Sequence, residues 1–499
     1  MDVARNLSKS RFQKGLQCEK ALWLSVNRPQ AGQAVTEAQQ WIFDQGHEVG
    51  MLARELFPGG VEVAEDHARS AEALETTARL LAAGTRILYE PAFEFGGAFA
   101  RVDILAASDE GGWDLYEVKS GTALKDVYVT DAAVQAYVLE GAGLRLRTVN
   151  VVRIDTSYVY AGGPYDVNAL FAVEDVTELV RAYLPSVGLT ISRLRTMLDG
   201  PEPEVLLGSW CSHPYTCEFG PYCRSFLPGE YPITDLPRLS EPVMHALLKA
   251  GHTSLLEVPG DFPGLTAAQR EAVAAAKAGE PRVDFEGLSR ALGALAWPVY
   301  HLDFETVAPA LPIWPGTRPY QQVPFQYSVH VHYADGTIKH RHYLHRGDTD
   351  PRRRLARHLI ADCGRRGSVM HYTSYERTQI DNLMAALPDL APTLGFIRKR
   401  LVDLAAIVRT NMRHPRAAGR SSIKYVLPAW CPDLSYSAIK ISDGQTASSR
   451  YLRILKGEVD EAEAQVILSD LKEYCGLDTY GMARLLSEMI GLLESGKEP

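Results

Sequence analysis

The sequence predicts an α/β protein that folds into several domains, and three observations lead to this class. At 499 residues the chain is too long for a single hydrophobic core, so two to three domains are expected. Short β-rich runs alternate with helical segments, first after about residue 87 and again after Pro298. Between these regions lies the Pro-rich stretch LPGEYPITDLPR, residues 227–238, which is typical of a linker.

Composition narrows the class of protein further. Hydrophobic residues make up 46% and charged residues 23% of the chain, which is ordinary for a globular protein. No apolar run approaches the roughly 18 residues that span a bilayer, and the polar N-terminus lacks a secretory signal. We therefore expect a cytoplasmic protein with no membrane segment. The net charge of −9 leaves nucleic acid open as a partner, because a local basic groove can coexist with an acidic total.

The first domain is expected over residues 1–230. Its N-terminal part shows apolar side chains at helical spacing, and later β-rich runs are broken by Gly-Gly turns. In chain order the pattern predicts helices within 1–57, short strands within 87–119, a helix at DVYVTDAAVQAYVLE, a strand at RTVNVVRIDTSYVY and a helical stretch over 173–198.

Two further regions follow. Residues 231–295 are predicted to be a small helical segment whose short helices meet at KAGHTSL, as in helix-hairpin-helix modules that bind phosphate backbones; a plain helical spacer is an equal alternative. Residues 296–499 form a second α/β domain that begins with the strand VYHLDFETV, continues with a hairpin turning at Asp-Gly and ends in a long helix over 459–495. The absence of a Walker-type loop argues against an ATP-driven motor.

A first group of residues with side chains suited to catalysis lies in the segments RVDIL and DLYEVKSG. Asp103 is predicted on one strand and Glu117 with Lys119 on the next, and strand alternation places Glu117 and Lys119 on one face. Two carboxylates there can hold Mg²⁺ or Mn²⁺, and a lysine can stabilise negative charge that develops on a phosphodiester. The alternative is a surface hairpin with a cross-strand salt bridge.

These residues, followed by a helix that carries Gln135, resemble the core of PD-(D/E)XK nucleases, and in particular the RecB-like branch. The resemblance implies a restriction-endonuclease-like fold with Asp103 and Glu117 as metal ligands. RecB-like nucleases often carry a further histidine ligand on an early helix, where QGHEVG places Gly50. His47 and Glu48 are nearby but offset, and Glu48 is a candidate substitute. A domain that binds nucleic acid without cutting it is the alternative.

Three of the seven cysteines, Cys211, Cys217 and Cys223, fall within thirteen residues. In a cytosolic chain such a cluster indicates metal binding rather than disulfides. The RecB-like branch includes iron–sulfur members with one cysteine before the nuclease core and three after it, which implies that Cys18 is the fourth ligand. The resemblance favours a [4Fe–4S] cluster, and the spacing does not exclude zinc.

A second group of acids lies in the C-terminal domain. Asp303 and Glu305 share one face of a strand, Glu376 follows a later strand, and Tyr474 and Asp478 lie four residues apart on a helix. This order resembles the DEDD 3′–5′ exonucleases, which have an RNase H-like fold. The resemblance implies that the four acids bind two divalent ions and that Tyr474 orients the attacking water.

Several nearby residues have weaker assignments. Asp381 is the alternative to Glu376 as a ligand, Asp403 is expected to be structural, and Cys475 is expected to be buried. For the remaining features a nucleic-acid contact and an ordinary solvated or core position are both open: the segment Ser421, Ser422 and Lys424, the basic runs 351–358 and 397–401, and the aromatic residues Trp314, Tyr320 and Phe325.

Nearly the whole chain resembles a bacterial family that fuses a RecB-like iron–sulfur nuclease domain to a DEDD-type exonuclease domain. The resemblance implies a divalent-metal-dependent nuclease whose partner is nucleic acid, with DNA that has single-stranded ends favoured over RNA. A helicase or another protein partner is open. The alternatives are a nucleic-acid-binding scaffold in which one or both sites are degenerate, and an exonuclease that processes RNA.

Overall fold

The computed structural model describes residues 6–65, 69–417, 419–434, 441 and 443–496. Helices and mixed sheets alternate along the chain, which confirms the predicted α/β class. The chain divides into two compact units, here called unit 1 (Met1–Ser225 with Pro309–Tyr320) and unit 2 (Phe226–Ala308 with Gln321–Pro499). Within the described ranges, none of the helices has both the length and the apolar character needed to cross a bilayer.

Unit 1 contains two sheets and the helices that cover them. Its strands are β1 Leu7–Ser8, β2 Val61–Glu62, β3 Ile87–Tyr89, β4 Ala92–Phe95, β5 Ala98–Arg101, β6 Ile104–Ala107, β7 Trp113–Lys119, β8 Leu146–Ile154 and β9 Phe171–Asp175. Its α-helices are α1 Lys9–Gln17, α2 Glu19–Asn27, α3 Glu37–Ala53, α4 Ser70–Ala82, α5 Asp126–Gly141, α6 Val167–Leu170, α7 Thr177–Leu198 and α8 Gly220–Arg224.

The larger sheet of unit 1 has the strand order β2-β3-β6-β7-β8-β9, and β7 and β8 are parallel. Parallel neighbours require a crossover connection, and α5 supplies it. This helix is apolar on most of its surface and packs with α1, α7 and the strands, so that Ala132, Val134 and Val138 are all fully buried. The crossover brings the buried Gln135 of α5 to the end of β7.

Unit 2 contains the remaining elements. Its strands are β10 Arg282–Val283, β11 Val299–Val307, β12 Val323–His332, β13 Ile338–Leu344, β14 Val369–His371, β15 Leu401–Asp403 and β16 Met412–Arg413. Its α-helices are α9 Glu241–Lys249, α10 Ala267–Ala278, α11 Phe285–Gly293, α12 Arg352–Cys363, α13 Tyr375–Ala386, α14 Ala391–Arg398, α15 Leu404–Asn411, α16 Ile423–Trp430, α17 Gly444–Leu455 and α18 Glu461–Ser495.

The five-stranded sheet of unit 2 has the order β13-β12-β11-β14-β15, with β11 in the centre. β11 runs antiparallel to β12 and parallel to β14, and the predicted hairpin between β12 and β13 turns at Gly336, whose φ of 84° suits glycine. Leu302 and Phe304 of β11 enter a core shared with α12, so strand alternation directs Asp303 and Glu305 to the opposite face. That face is covered by α17 and α18.

Two sequence expectations about organisation are wrong. Residues 309–320, assigned to the C-terminal domain 296–499, belong to unit 1, because Ala310 N–H donates to Gln45 Oε1 at 2.7 Å and Tyr320 Oη donates to the Ser120 carbonyl at 2.5 Å. Residues 251–266, all of them described, form no helix, so α9 and α10 do not meet at KAGHTSL. The helices of 231–295 lie in unit 2.

Candidate functional site

The first candidate site gathers around Glu117 at the end of β7. This carboxylate is only 1% exposed, and three side chains donate to it: Lys119 Nζ at 2.6 Å and Lys9 Nζ at 2.8 Å to Oε1, and Gln135 Nε2 at 2.7 Å to Oε2. Strand alternation therefore places Glu117 and Lys119 on one face, and the predicted residue Gln135 joins them.

Asp103 lies beside this group but not on a strand. It occupies the bend between β5 and β6, so the predicted strand position is wrong, because the chain changes sheet at this point. Its Oδ2 accepts a hydrogen bond from the Val118 N–H at 2.6 Å, which fixes the carboxylate next to β7. The backbone of Val118, which directly follows Glu117, therefore holds the Asp103 carboxylate close to Glu117.

Two members of the first site, Lys9 and Asp131, were not predicted. Asp131 Oδ2 pairs with Lys119 Nζ at 2.5 Å and lies 3.9 Å from Lys9 Nζ. Asp131 is one helical turn before Gln135 on α5, and this i, i+4 spacing is a sequence signal that could have identified it. No comparable local signal exists for Lys9, which opens α1 more than 100 residues before Glu117.

Burial shapes the charge of the first site. Burial, together with the neighbouring Glu117 carboxylate, raises the pKa of Asp103 to about 7. Burial acts on Glu117 in the same direction, but the ammonium groups of Lys119 and Lys9 outweigh it and hold the pKa of Glu117 below its usual value. Glu117 is therefore a carboxylate at neutral pH, and two lysines already neutralise it.

Gly50 occupies the position of the further ligand expected on the early helix. Gly50 has no side chain to offer a metal ion, and a Cβ added there would meet nothing within 4 Å. His47 is exposed, and Glu48 is half-buried at a position where its charge acts on Tyr165. The substitution by Glu48 stays a prediction.

The second candidate site brings together acids from three distant parts of unit 2. Asp303 and Glu305 come from β11, Glu376 from the first turn of α13, and Asp478 from the middle of α18. The charges of Glu305, Glu376 and Asp478 all act on Asp303, which places the four predicted acids in one cluster. Glu305 is 6% exposed and Glu376 is 4% exposed.

The acids of this second site oppose one another's ionisation. Burial and the Asp478 and Glu305 carboxylates raise the pKa of Asp303 well above its usual value, and burial with Asp478 does the same for Glu305. Burial raises the pKa of Glu376 to about 7. Like charges held together away from water need compensating cations, and carboxylates bind Mg²⁺ and Mn²⁺.

Two side chains complete the surroundings of the acids. The predicted Tyr474 is buried, and burial and the nearby Glu305 carboxylate raise its pKa. Lys424 Nζ lies 5.8 Å from the centre of the Tyr474 ring, and its charge lowers the pKa of Glu305. Lys424 therefore places a cation near this site, and its contact with a phosphate stays a prediction.

Cys475 is buried, as expected, and it also contacts the acids. Its Sγ lies 3.6 Å from Asp303 Oδ2, and ligand atoms of Asp303, Glu305 and Cys475 lie within 4.8 Å of one another. The thiol follows Tyr474 in the chain, but only the packing of α18 against β11 reveals its contact with Asp303. Burial and Asp303 raise the pKa of the Cys475 thiol well above its usual value, so it carries a proton at neutral pH.

The other two acids around the second motif have partners of their own, although the charge of Asp403 also acts on Glu376. Asp381 is largely exposed and pairs with Arg398 at 2.7 Å. Asp403 caps α15 by accepting from the Ala406 N–H at 2.8 Å, which is the structural role predicted for it. His371, at the end of β14, instead places its Nδ1 3.6 Å from Glu376 Oε2.

The aromatic residues do not present free stacking faces. Trp314 and Phe325 are buried, and Phe325 stacks on Tyr451 with ring centres 3.8 Å apart. Tyr320 is held by its hydrogen bond to Ser120. Core packing is therefore the correct interpretation for all three.

The two basic runs are largely paired within the protein. Arg353 pairs with Asp389 at 2.7 Å, and Arg352 pairs with Asp350 at 2.6 Å. In the second run, Arg398 pairs with Asp381, and Arg400 donates to backbone carbonyls that include those of Gly364 and Gly367. These contacts support the interpretation of both runs as ordinary parts of helix surfaces.

The four predicted cysteine ligands lie together in unit 1. Cys18 stands between α1 and α2, and Cys211, Cys217 and Cys223 follow α7; all four line one pocket. They are half-buried and free of disulfide bonds. Burial raises the pKa of Cys18, of Cys223 and of Cys217, the last to about 11, so without a metal these groups are thiols.

The spacing of the four sulfur atoms bears on the two candidate cofactors, zinc and an iron–sulfur cluster. One zinc ion bound at about 2.3 Å by four sulfurs holds them roughly 3.8 Å apart. All four cysteines belong to the described part of the chain, and no three of their sulfurs lie within 4.8 Å of one another. Four thiolates suit either a zinc ion or an iron–sulfur cluster, so the choice between the two stays a prediction.

One comparison with known proteins gives a match, which covers part of unit 2 together with residues 309–320 of unit 1. Residues 300–422 are similar to a family described as a domain of unknown function, DUF2779. This match includes Asp303, Glu305 and Glu376 but ends before Lys424, Tyr474 and Asp478. No curated protein matches the chain.

Proposed function

We propose that the chain is a divalent-metal-dependent nuclease that hydrolyses phosphodiesters at the acid cluster of unit 2. The observation that carries this proposal is the convergence of Asp303, Glu305, Glu376 and Asp478 from three distant segments into one largely buried cluster. Folding concentrates negative charge there at a cost in stability, and divalent cations compensate for that cost. The central position of β11 in a mixed sheet supports an RNase H-like fold for this part of the chain.

The side chains have separate tasks in this reaction. The four acids hold the ions, which polarise the phosphodiester and lower the pKa of the attacking water when they are bound. Lys424 lies where its ammonium group can stabilise charge on the phosphate, beside Glu305 and Tyr474. Tyr474 keeps its phenolic proton because its pKa is raised, so it can orient the attacking water through a hydrogen bond.

The preferred substrate in this proposal is DNA with single-stranded ends, trimmed from the 3′ end, and an exonuclease that processes RNA is the alternative. Both preferences rest on the resemblance to DEDD exonucleases. The cysteine cluster is proposed to bind a [4Fe–4S] centre, on the resemblance to iron–sulfur nucleases and on the four cysteines that line one pocket, and so to link α1 and α2 to the segment after α7. Its task is structural, because no catalytic side chain is among the residues that line its pocket.

The first site supports a second candidate function for unit 1. The hydrogen bonds among Asp103, Val118, Glu117, Lys119 and Gln135 support a PD-(D/E)XK-type site, but Lys9 already pairs with Glu117. This ion pair favours a site that binds nucleic acid or binds metal weakly. Unit 1 is accordingly proposed to be either a weak second nuclease or a binding module.

A cleavage assay tests the proposal. The substrates are 5′-labelled single-stranded DNA and RNA of the same sequence, each incubated with Mn²⁺ and with EDTA. We expect wild type to shorten a substrate only with Mn²⁺ and Asp303→Asn to lose at least about 100-fold in rate, within the range for removing a catalytic group. Asp381→Asn, an exposed acid of the same unit, serves as the matched control and retains wild-type activity.

The same assay separates the candidates. Loss of cleavage in Asp103→Asn as well as in Asp303→Asn would assign catalysis to both units. The scaffold alternative is favoured if wild type binds either nucleic acid but cuts neither with Mn²⁺ or Mg²⁺. Cleavage that is unchanged in Asp303→Asn contradicts the assignment of the active site to unit 2.

A further inference from the structure

A cavity of about 720 Å³ lies within unit 2, apart from the acid cluster. One wall is formed by residues 234–238 and by α10, and the other by the segment from α15 to α16. Its volume is within the range of sites that bind ligands. Apolar side chains form part of its lining, including Leu236, Met412 and Trp430.

Arginine dominates the charge of this cavity. The charged lining residues are Arg238, Arg409, Arg413 and Arg420 on the positive side, and Asp235 and Glu271 on the negative side. The sum is +2 in a chain whose net charge is −9, so the positive charge is concentrated locally. A guanidinium group presents a planar set of donors that matches phosphate oxygens, so this lining favours a phosphate-bearing ligand.

The arginines of this lining differ in exposure and in partners, and Arg409 Nη2 lies 3.8 Å from Asp403 Oδ2. Arg238 and Arg409 are exposed. Buried Gln269 fixes the backbone beside Arg238 by donating from Nε2 to the Pro237 carbonyl at 3.0 Å. Arg420 pairs with Asp235 and lies 4.0 Å from the ring centre of Tyr425, while its Nε is buried without a hydrogen-bond partner.

One short segment connects the cavity to the acid cluster. Arg420 and Ser421 line the cavity, and Lys424, in the first turn of α16, acts on Glu305. Tyr372, which directly follows β14, anchors this segment by donating from Oη to the Ser421 carbonyl at 2.8 Å. A chain of phosphates bound by the arginines would therefore continue toward the acids along residues 420–424.

We propose that this arginine-lined cavity binds the phosphodiester backbone of the single strand that the acid cluster cuts. The inference rests on the proposed function and adds to it the path that the strand follows through unit 2. The guanidinium groups of the lining bind phosphate oxygens, so we expect the cavity to recognise the backbone of the strand rather than particular bases. Affinity should therefore depend on salt and only weakly on base sequence.

Binding measured without cleavage tests this inference separately from the proposed function. The full-length protein is titrated into a fluorescein-labelled thymidine 20-mer in EDTA, and anisotropy is followed at several salt concentrations. The double variant Arg238→Gln/Arg409→Gln removes two exposed cations from the cavity. Arg290→Gln, on α11 and 74% exposed at its side chain, is the matched control.

We expect the double variant to bind the 20-mer at least about tenfold more weakly than wild type. The slope of log Kd against log salt should fall by about 1.4, because each lost phosphate contact on a single strand lowers it by roughly 0.7. Arg290→Gln should bind as wild type does, and all proteins should unfold at the same temperature. The inference is overturned if the double variant keeps wild-type affinity and slope. It is also overturned if that variant loses affinity for thymidine monophosphate, measured by calorimetry, while it still binds the 20-mer normally.

The two proposals fail in distinguishable ways. Weak binding by the double variant together with normal cleavage by Asp303→Asn supports the cavity as a strand site and contradicts the active site. Normal binding by the double variant together with inactive Asp303→Asn keeps the active site and rejects the cavity.

Discussion

Glu376→Gln is expected to stabilise the metal-free protein at alkaline pH while it impairs cleavage. Glu376 is 4% exposed, and burial raises its pKa from 4.5 to about 7. A carboxyl group with a raised folded-state pKa costs nothing below about pH 4.5, where it is protonated in both states. The cost grows between pH 4.5 and 7 and is complete above pH 7.

The size of this effect follows from the difference between the two pKa values. A shift of this size corresponds to about 3 kcal/mol above pH 7, at 1.36 kcal/mol for each unit of pKa. Glutamine keeps the shape of the side chain and removes the charge, so the variant should gain up to that amount. At roughly 2–4 °C per kcal/mol, the Tm should rise by about 6–12 °C at pH 8. At pH 5 the difference should fall below about 1 kcal/mol.

Thermal unfolding in EDTA at pH 5 and pH 8 measures the difference between variant and wild type at each pH. Mn²⁺ at pH 8 should raise the Tm of wild type more than that of the variant, because ligands stabilise only the state that binds them. Asp381→Asn removes an exposed acid of the same helix and should stay within about 0.5 kcal/mol of wild type at both pH values. The reasoning is refuted if Glu376→Gln lowers the Tm at pH 8, or raises it equally at pH 5 and pH 8.

Three further predictions concern the other sites. In an Asp303→Asn background, Lys9→Met should bind Mn²⁺ about tenfold more tightly by calorimetry, because it removes the ammonium group that competes with the metal for Glu117. The control Lys125→Met, at an exposed lysine, should not change the Mn²⁺ affinity, and equal affinities in the two variants would contradict the competition. Cys217→Ser should abolish the iron content and the visible absorbance of the purified protein, whereas retained zinc and no iron in wild type would reject the [4Fe–4S] assignment. Tyr474→Phe should lower kcat about 10- to 100-fold with little change in KM, and a rise in KM alone would instead assign Tyr474 to substrate binding.

Much of each site was predictable because its residues follow local periodicity. Glu117 and Lys119 alternate on a strand, as do Asp303 and Glu305, and Tyr474 and Asp478 are separated by one helical turn. The close sequence spacing of Cys211, Cys217 and Cys223 likewise indicated one cluster. In such cases the backbone geometry of a strand, helix or loop places the side chains together, whatever the rest of the chain does.

Other expectations failed where a position depends on distant packing. Asp103 was expected on a strand, but it lies at the bend where the chain leaves one sheet for another. Residues 309–320 follow β11 in sequence yet pack in unit 1, through hydrogen bonds to Gln45 and Ser120. Neither outcome is encoded in the periodicity of the segment itself.

The sequence by itself therefore determined the α/β class, the carboxylate pairs that share a strand face and the three clustered cysteines, because periods of 2 and 3.6 residues act over a few neighbouring positions. Only the tertiary structure decided that Lys9 neutralises Glu117, that Cys475 contacts Asp303 and that four arginines share one cavity. These contacts join residues that are distant in the chain, and they exist because apolar surfaces elsewhere pack and bring them together.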